Sequence, residues 1–382
     1  MGLHYDRIEN RAALDAALQE LGHTKVIAID LEFDKNRFRY GFNLCLMQLA
    51  TNQKIYLIDP LADGVAIDRV FPLLVDASVK KIAFEFGEDL RLLHALGCEP
   101  NNLEDLSNAS KLAGYSQLSL TNLVARVLDI DLGQGAQMSN WFQRPLTDKQ
   151  CAYAADDVRY LFQLREALLD ELKALGAERL LWYEEENAFF LKDAAVKEKE
   201  DQTIALSRDE RDELNQVQYH VLKALYTVRR ELAQKHNRPE FKIYSNHGLL
   251  SLAKSSPDNI RVQEKEIGLR SLRTGSIYEF WRKTVKDALK DAERCGLKPD
   301  LPAFLPLADE DKRAKRQEQK RINRMVEEDW KPIQSVLKQR FGQDLATFML
   351  SNRTMKRLAA EEDDVIPNYR KELFDQIRAG LG

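Results

Sequence analysis

Four acids and one phenol lie among the first 160 residues in spacings that can do chemistry: Asp30, Glu32, Asp89, Tyr153 and Asp157. In an extended strand, residues i and i+2 point the same way about 6–7 Å apart, so Asp30 and Glu32 can grip one cation. In a helix, residues i and i+4 are neighbours one turn apart, which puts Tyr153 and Asp157 on a single face. Four converging carboxylates cannot all stay ionised without cations between them, so the set implies divalent metal. Metal-assisted attack on a phosphodiester is the first reaction to consider. Taken singly the pieces are weak. A D-x-E pair is common, and Asp89, just inside an expected helix start, is favoured there by the helix macrodipole whether or not it binds metal.

The elements that must position these residues can be read locally. Lys25-Val26-Ile27-Ala28-Ile29-Asp30 is an apolar run of β-formers ending in an acid, as a buried central strand would. Leu44 to Ala50 and Ile55 to Asp59 read as two further strands joined by the polar Thr51-Asn52-Gln53-Lys54, so strands one to three are expected to form a meander. Lys81 to Phe86 reads as a fourth strand, and Gly87-Glu88 opens a helix with Leu90, Leu92, Leu93 and Leu96 on its apolar side. Thr147-Asp148-Lys149-Gln150 fits a capping box, so the helix bearing Tyr153 and Asp157 starts there. Its small Ala154 and Ala155 are expected to leave the surface open near the acids. Strands followed by alternating helix and strand, with helical patterns to about residue 180, indicate an α/β layer with a mixed sheet.

A chain of 382 residues has room for two or three domains, each with its own core. Its net charge of −4 is uneven: residues 1–180 carry −7 and residues 181–382 carry +3. An acidic catalytic half with a mildly basic remainder fits a metal site joined to a region that holds a polyanion. Cys45, Cys98, Cys151 and Cys295 form no CxxC pair, which argues against a zinc ribbon or a disulfide framework and for a reducing compartment. The start of the chain is charged and no apolar run approaches a membrane span, so a cytoplasmic protein with no membrane partner is expected.

The charge-dense Glu184-Glu185-Glu186 and Lys197-Glu198-Lys199-Glu200-Asp201 mark a boundary, and the pattern from about 208 onward is helical, with breaks at Asn237-Arg238-Pro239, Ser255-Ser256-Pro257 and Leu301-Pro302. Within it, Ser245-Asn246-His247 followed by Leu249, Leu252 and Ala253 recurs 106 residues later as Ser351-Asn352-Arg353 followed by Met355, Leu358 and Ala359. Each copy reads as a capped helix start, and Trp281-Arg282-Lys283 and Tyr369-Arg370-Lys371 hold comparable places in each copy's final helix. Between the copies, Lys312-Arg313-Ala314-Lys315-Arg316 continues to Lys320, Arg321 and Arg324, either a solvated helix face or linker, or a stripe that contacts phosphates.

The third acid segment is the most specific: Trp141, Arg144-Pro145-Leu146-Thr147, Gln150, Tyr153-Ala154-Ala155 and Asp157-Val158, then Tyr160-Leu161. It resembles the third exonuclease motif of the ribonuclease D family, the tyrosine class of DEDD exonucleases. The C-terminal repeat resembles the helical HRDC module that such nucleases share with certain helicases. The resemblance implies a ribonuclease-H-like exonuclease domain at 1–183 and a linker at 184–207. It further implies HRDC-like domains at 208–300 and 318–382, with a basic linker at 301–317 between them. It implies a 3′–5′ exoribonuclease using two divalent ions, Mg²⁺ or Mn²⁺, to release nucleoside 5′-monophosphates from RNA with a free 3′ end, such as tRNA precursors. In that mechanism Asp30 bridges both ions, Glu32 and Asp157 complete the site of the attacking water, Asp89 holds the second ion, and Tyr153 orients the water.

Three places depart from the family pattern: Leu31 stands where Thr is usual, Phe84 or one of its neighbours where His is common, and Leu106 follows Asp105 where an Asp-Thr pair is frequent. None removes a proposed ligand. A DNA 3′–5′ exonuclease with the same site, or a non-catalytic nucleic-acid-binding protein, stands as the alternative. A helicase is excluded by the lack of a G-x-x-x-x-G-K-[ST] loop. Gly133-Gln134-Gly135 lacks the third glycine and the preceding strand of a dinucleotide loop.

Overall fold

The computed structural model describes residues 4–115, 119–133, 135–194, 204, 206–255, 275–304, 309–362 and 365–381. The charge-dense residues 197–201, the break at Ser256-Pro257 and Gln134 lie outside them. The chain opens as β1 (Tyr5–Ile8), α1 (Arg11–Leu21), β2 (Val26–Lys35), β3 (Phe42–Ala50), β4 (Ile55–Ile58), α2 (Phe71–Val75), β5 (Lys80–Ala83), α3 (Gly87–Ala95) and β6 (Leu103–Asp105). Helices α4 (Leu106–Leu112), α5 (Leu120–Leu128), α6 (Asp148–Arg159), α7 (Leu161–Leu175) and α8 (Glu178–Ala194) follow.

The strands form one mixed sheet in the order β1-β4-β3-β2-β5-β6. The expected meander is present: β2, β3 and β4 are neighbours, with β3 antiparallel to β4, Met47 opposite Ile58. On the other side β2 runs parallel to β5 with Ala28 opposite Ile82, and β5 parallel to β6 with Ala83 opposite Asp105. Strands β1 and β6 escape a reading by pattern because they are only four and three residues long and carry polar side chains at Asp6, Arg7, Glu104 and Asp105. Pairing with β4 and β5 makes them strands, which is a tertiary effect. Ile27, Ala28 and Ile29 are fully or almost fully buried, so β2 is the central apolar strand that its sequence describes.

By Cα packing the chain divides into two units. One holds residues 34–43 and 198–311, with α9 (Arg208–Asp212), α10 (Gln216–Lys235), α11 (Glu240–Ile243), α12 (Asn246–Lys254) and α13 (Gly275–Arg294). Helix α10 packs on α12 and α13 around Leu222, Leu225, Leu249 and Leu252, and Trp281 stacks on Tyr244 with ring centres 5.1 Å apart. Ser245 caps α12 by accepting from the Gly248 amide at 2.9 Å. The loop residue Tyr40 belongs to this unit, its amide donating to Asn237 Oδ1 at 3.3 Å.

The other unit holds residues 1–33, 44–197 and 312–382, and so includes α14 (Asp309–Met325) from residue 312, a π-helical turn over Val326–Trp330, α15 (Lys331–Phe341), α16 (Gln343–Met349), α17 (Asn352–Ala359) and α18 (Asn368–Leu381). Ser351 caps α17 through the Thr354 amide at 3.1 Å, the counterpart of Ser245. The boundaries expected at 183 and 317 fall inside α8 and α14. Dense charge marks a solvated helix face as readily as a linker, and composition alone does not tell the two apart. Helix α8 joins α18 within this unit. Tyr369 stacks on Trp182 at 5.1 Å, and the Arg370 guanidinium meets Glu186 at 2.6 Å while donating to the Phe348 and Met349 carbonyls at 3.0 Å.

Both Arg370 and Glu186 are buried, so removing one partner leaves an uncompensated charge in the interior. Arg370→Ala is expected to lower unfolding free energy in urea by about 3–5 kcal/mol, and replacing both by apolar residues to cost clearly less. Equal losses for the single and double variants would contradict this account.

Candidate active site

Three local devices bring the acids together. The first is β2, whose alternation sends Asp30 and Glu32 to one face. The second is the turn from β5 into α3, which puts Asp89 in the first helical turn. The third is α6, started by a full capping box. Thr147 Oγ1 accepts from the Gln150 amide at 3.2 Å, and Gln150 Oε1 accepts from the Thr147 amide at 3.1 Å.

One carboxylate oxygen each of Asp30, Glu32 and Asp157 lies within 4.8 Å of the other two. Asp89 stands outside that trio but lines the same cleft of about 550 Å³, as does Tyr153. All five sequence candidates therefore share one cavity. Burial pushes the carboxyl pKa of Asp30 and Glu32 well above the usual range, Asp30 further through Asp89 and Glu32 through Asp30 and Asp157. Burial raises Asp89 to about 7 and, with the neighbouring Asp30, Asp157 to about 8. Burial, together with the neighbouring Asp157, Glu32 and Asp30, pushes the Tyr153 phenol pKa far up, so it stays protonated and can donate a hydrogen bond but not act as a base. Three carboxylates held this close, with Asp89 lining the same cleft, fit a hard cation with an oxygen shell.

Asp156 has a different place. It pairs with Arg159 at 2.8 Å and is not part of the trio. Ala154 and Ala155 do not open the helix surface as expected, since both are fully buried; their small size lets α6 pack closely in the core beneath the site. Leu31 leaves a backbone contact intact, because its amide faces the Asp30 and Asp89 carboxylates. Phe84, one of the expected departures, lines the cleft.

Two bracing residues carry no obvious signal of their role in the sequence. Asp105, at the end of β6, accepts from the Glu85 and Phe86 amides at 2.9 Å each, and from Ser107 at 2.8 Å. It thereby holds a turn in which Glu85 has φ +51°, just before the helix that carries Asp89. Its own amide donates to Asn187 Oδ1 on α8 at 2.9 Å. Arg144 is the second. It grips buried Asp59 through Nε at 2.5 Å and Nη2 at 2.7 Å, and donates to the Cys45 and Trp141 carbonyls at 2.7 Å, fastening the segment before α6 to the sheet. Only the Arg-Pro-Leu-Thr run preceding the capping box hinted at it.

Asp105→Ala would free the turn that places Asp89, so weaker Mn²⁺ binding by calorimetry is expected, with the trio's own spacing preserved; unchanged affinity would count against the bracing role. The raised acids also set a pH dependence. Without cation the folded state holds protons on Asp89 and Asp157 that the unfolded chain has lost above the ordinary value of 3.8, so the stability these two acids contribute is fully present below that value and is lost as pH rises through about 7 to 8. Thermal melting should show Mn²⁺ raising the transition temperature more at pH 8 than at pH 5. Equal shifts at both would refute the electrostatic account.

Comparison with known proteins bears on this site directly. Residues 5–173 match the family model described as 3′-5′ exonuclease, and residues 218–262 match that of the HRDC domain. The chain is 31% identical over 249 residues to ribonuclease D of Gluconacetobacter diazotrophicus, covering 65% of this chain and 62% of that one. It is 34% identical over 259 residues to ribonuclease D of Zymomonas mobilis, covering 65% and 64%. The matched segments thus span less than two thirds of those relatives. The solved structure of Escherichia coli RNase D shares the fold with a TM-score of 0.67 at 23% identity, over 99% of this chain and 98% of that one. A protein from Bifidobacterium adolescentis gives a TM-score of 0.72 at 20% identity, over 98% and 96%. The chain thus joins a mixed-sheet segment that matches the 3′-5′ exonuclease model to a helical segment that matches the HRDC model, and along these segments it is similar to ribonucleases D.

Proposed function

We propose that this chain is a divalent-metal-dependent 3′–5′ exoribonuclease that releases nucleoside 5′-monophosphates, with Asp30, Glu32, Asp89, Tyr153 and Asp157 as its working residues. The observation that carries the reading is the trio within 4.8 Å, sharing a cleft with Asp89 and Tyr153 inside the segment that matches the exonuclease model. The curated relatives are ribonucleases D, and the Escherichia coli protein is described as an exoribonuclease involved in structured RNA processing. A 3′-ended structured RNA such as a tRNA precursor is the substrate this supports, and the cytoplasm the compartment.

Asp30, close to Glu32 and Asp157 on one side and electrostatically coupled to Asp89 on the other, would be shared between two cation positions; Glu32 and Asp157 would complete one and Asp89 the other. Mg²⁺ or Mn²⁺ bound there would acidify the attacking water and offset the charge that builds on the phosphate and the departing 3′ oxygen. The Tyr153 phenol, one helical turn before Asp157 and lining the same cleft, would orient that water by a hydrogen bond. The helical module at 318–382 would serve as a second HRDC-like copy. It starts its α17 with the same Ser cap that starts α12 in the first, and with residues 208–300 it would hold the body of the RNA.

Asp30→Asn should lower exonuclease turnover roughly 10²-fold or more if losing a shared ligand removes several kcal/mol of charge stabilisation. Asp156→Asn should be far milder, since that side chain faces Arg159. The assay is degradation of 5′-labelled RNA and matched DNA with Mg²⁺, Mn²⁺ or chelator. Near-normal RNA turnover by Asp30→Asn would sink the assignment, degradation of DNA alone would make the chain a DNA exonuclease, and no degradation of either would favour a binding protein.

A further inference from the structure

Gly135 lies in the segment between α5 and α6 and lines the cleft that holds the acids. A Cβ at this position would stand 2.7 Å from Tyr153 Cε2 and 3.2 Å from Cδ2. Carbon atoms in contact prefer about 3.5–4.0 Å, so a methyl group here would force the ring or the segment to retreat by about 1 Å. Gly133, by contrast, has φ +70°, and a Cβ added there would meet nothing within 4 Å. The two glycines of the Gly133-Gln134-Gly135 run thus have separate reasons: Gly133 suits a left-handed turn, and Gly135 makes room for one aromatic ring.

That ring has little freedom elsewhere. Its position on α6 is set by the capping box, one turn before Asp157, and Trp141 lies beside it with ring centres 6.2 Å apart. The Gly135 backbone stands against the edge of the ring. We propose that Gly135 is a positioning residue for the reaction: its missing side chain sets where the Tyr153 hydroxyl sits relative to the carboxylate trio. This rests on the reading that Tyr153 orients the attacking water. A displacement of about 1 Å in a group that orders the reactants can cost about 10² in rate without touching substrate affinity.

The test compares Gly135→Ala, Tyr153→Phe, the two combined, and Asp30→Asn, measuring kcat and KM on a 5′-labelled RNA with Mn²⁺ and Mn²⁺ binding by calorimetry. Gly135→Ala is expected to lower kcat about 10- to 10²-fold, leaving KM and Mn²⁺ affinity within about twofold of wild type. The double variant should be no slower than Tyr153→Phe alone, because a displaced ring without a hydroxyl has nothing further to lose. Wild-type kcat in Gly135→Ala overturns the inference, as does the same fractional loss when Gly135→Ala is added to Tyr153→Phe. Loss of Mn²⁺ binding by the alanine variant also overturns it, since the damage would then extend to the acids. If Asp30→Asn keeps full activity, the reading of the site itself fails; if Asp30→Asn is inactive and Gly135→Ala is not, only the role of Gly135 falls.

Discussion

Mutual repulsion among four carboxylates in a poorly hydrated cleft is the constraint on which the rest of this structure depends. Asp30, Glu32, Asp89 and Asp157 each have a pKa raised by burial, and three of them are raised further by one another. Acids free to move would separate or turn to water. Their convergence therefore requires that each be fixed by an element with other reasons to be where it is.

Those reasons are distributed over the exonuclease-containing unit. Strand β2 is held by its neighbours β3 and β5 and by an apolar interior around Ile27, Ala28 and Ile29. Helix α6 is held at its start by the capping box and by Arg144, which ties the preceding segment to Asp59 and Cys45. The turn before α3 is held by Asp105, and Asp105 in turn by Asn187 on α8. Helix α8 continues the chain of support, since its Glu186 receives Arg370 and Tyr369 from α18. The helical module at the end of the chain is thus mechanically continuous with the strand and helix that carry the acids.

Much of the site was legible because its logic is local. A D-x-E pair at the end of an apolar strand and a Tyr and an Asp four apart in a capped helix each place two side chains by the geometry of one element. The caps at Ser245 and Ser351 were readable for the same reason. What resisted were features that depend on partners far along the chain. Strands β1 and β6 exist because β4 and β5 offer them hydrogen bonds, and Asp105 braces a turn some twenty residues earlier. Ala154 and Ala155, read locally as an open surface, are enclosed by core residues contributed from elsewhere. The charge-dense run at 184–186, read as a boundary, lies within a helix, and the run at 312–316, open to either a linker or a helix face, lies within one too.

The sequence by itself determined which side chains could meet a cation, which helix and strand would present them, and which family pattern they follow. The placement of side chains rests on periodicities of two and of about four residues that need no knowledge of the rest of the chain, and the family pattern on a resemblance of motifs. Only the tertiary structure decided that Asp30, Glu32 and Asp157 come within one ion's reach, that Asp89 faces them from a separate turn, and that residues 34–43 belong with the first helical module. It also decided why Gly135 has no side chain: the ring that would collide with one belongs to a residue eighteen positions away, and steric exclusion between distant segments leaves no periodic mark in a sequence.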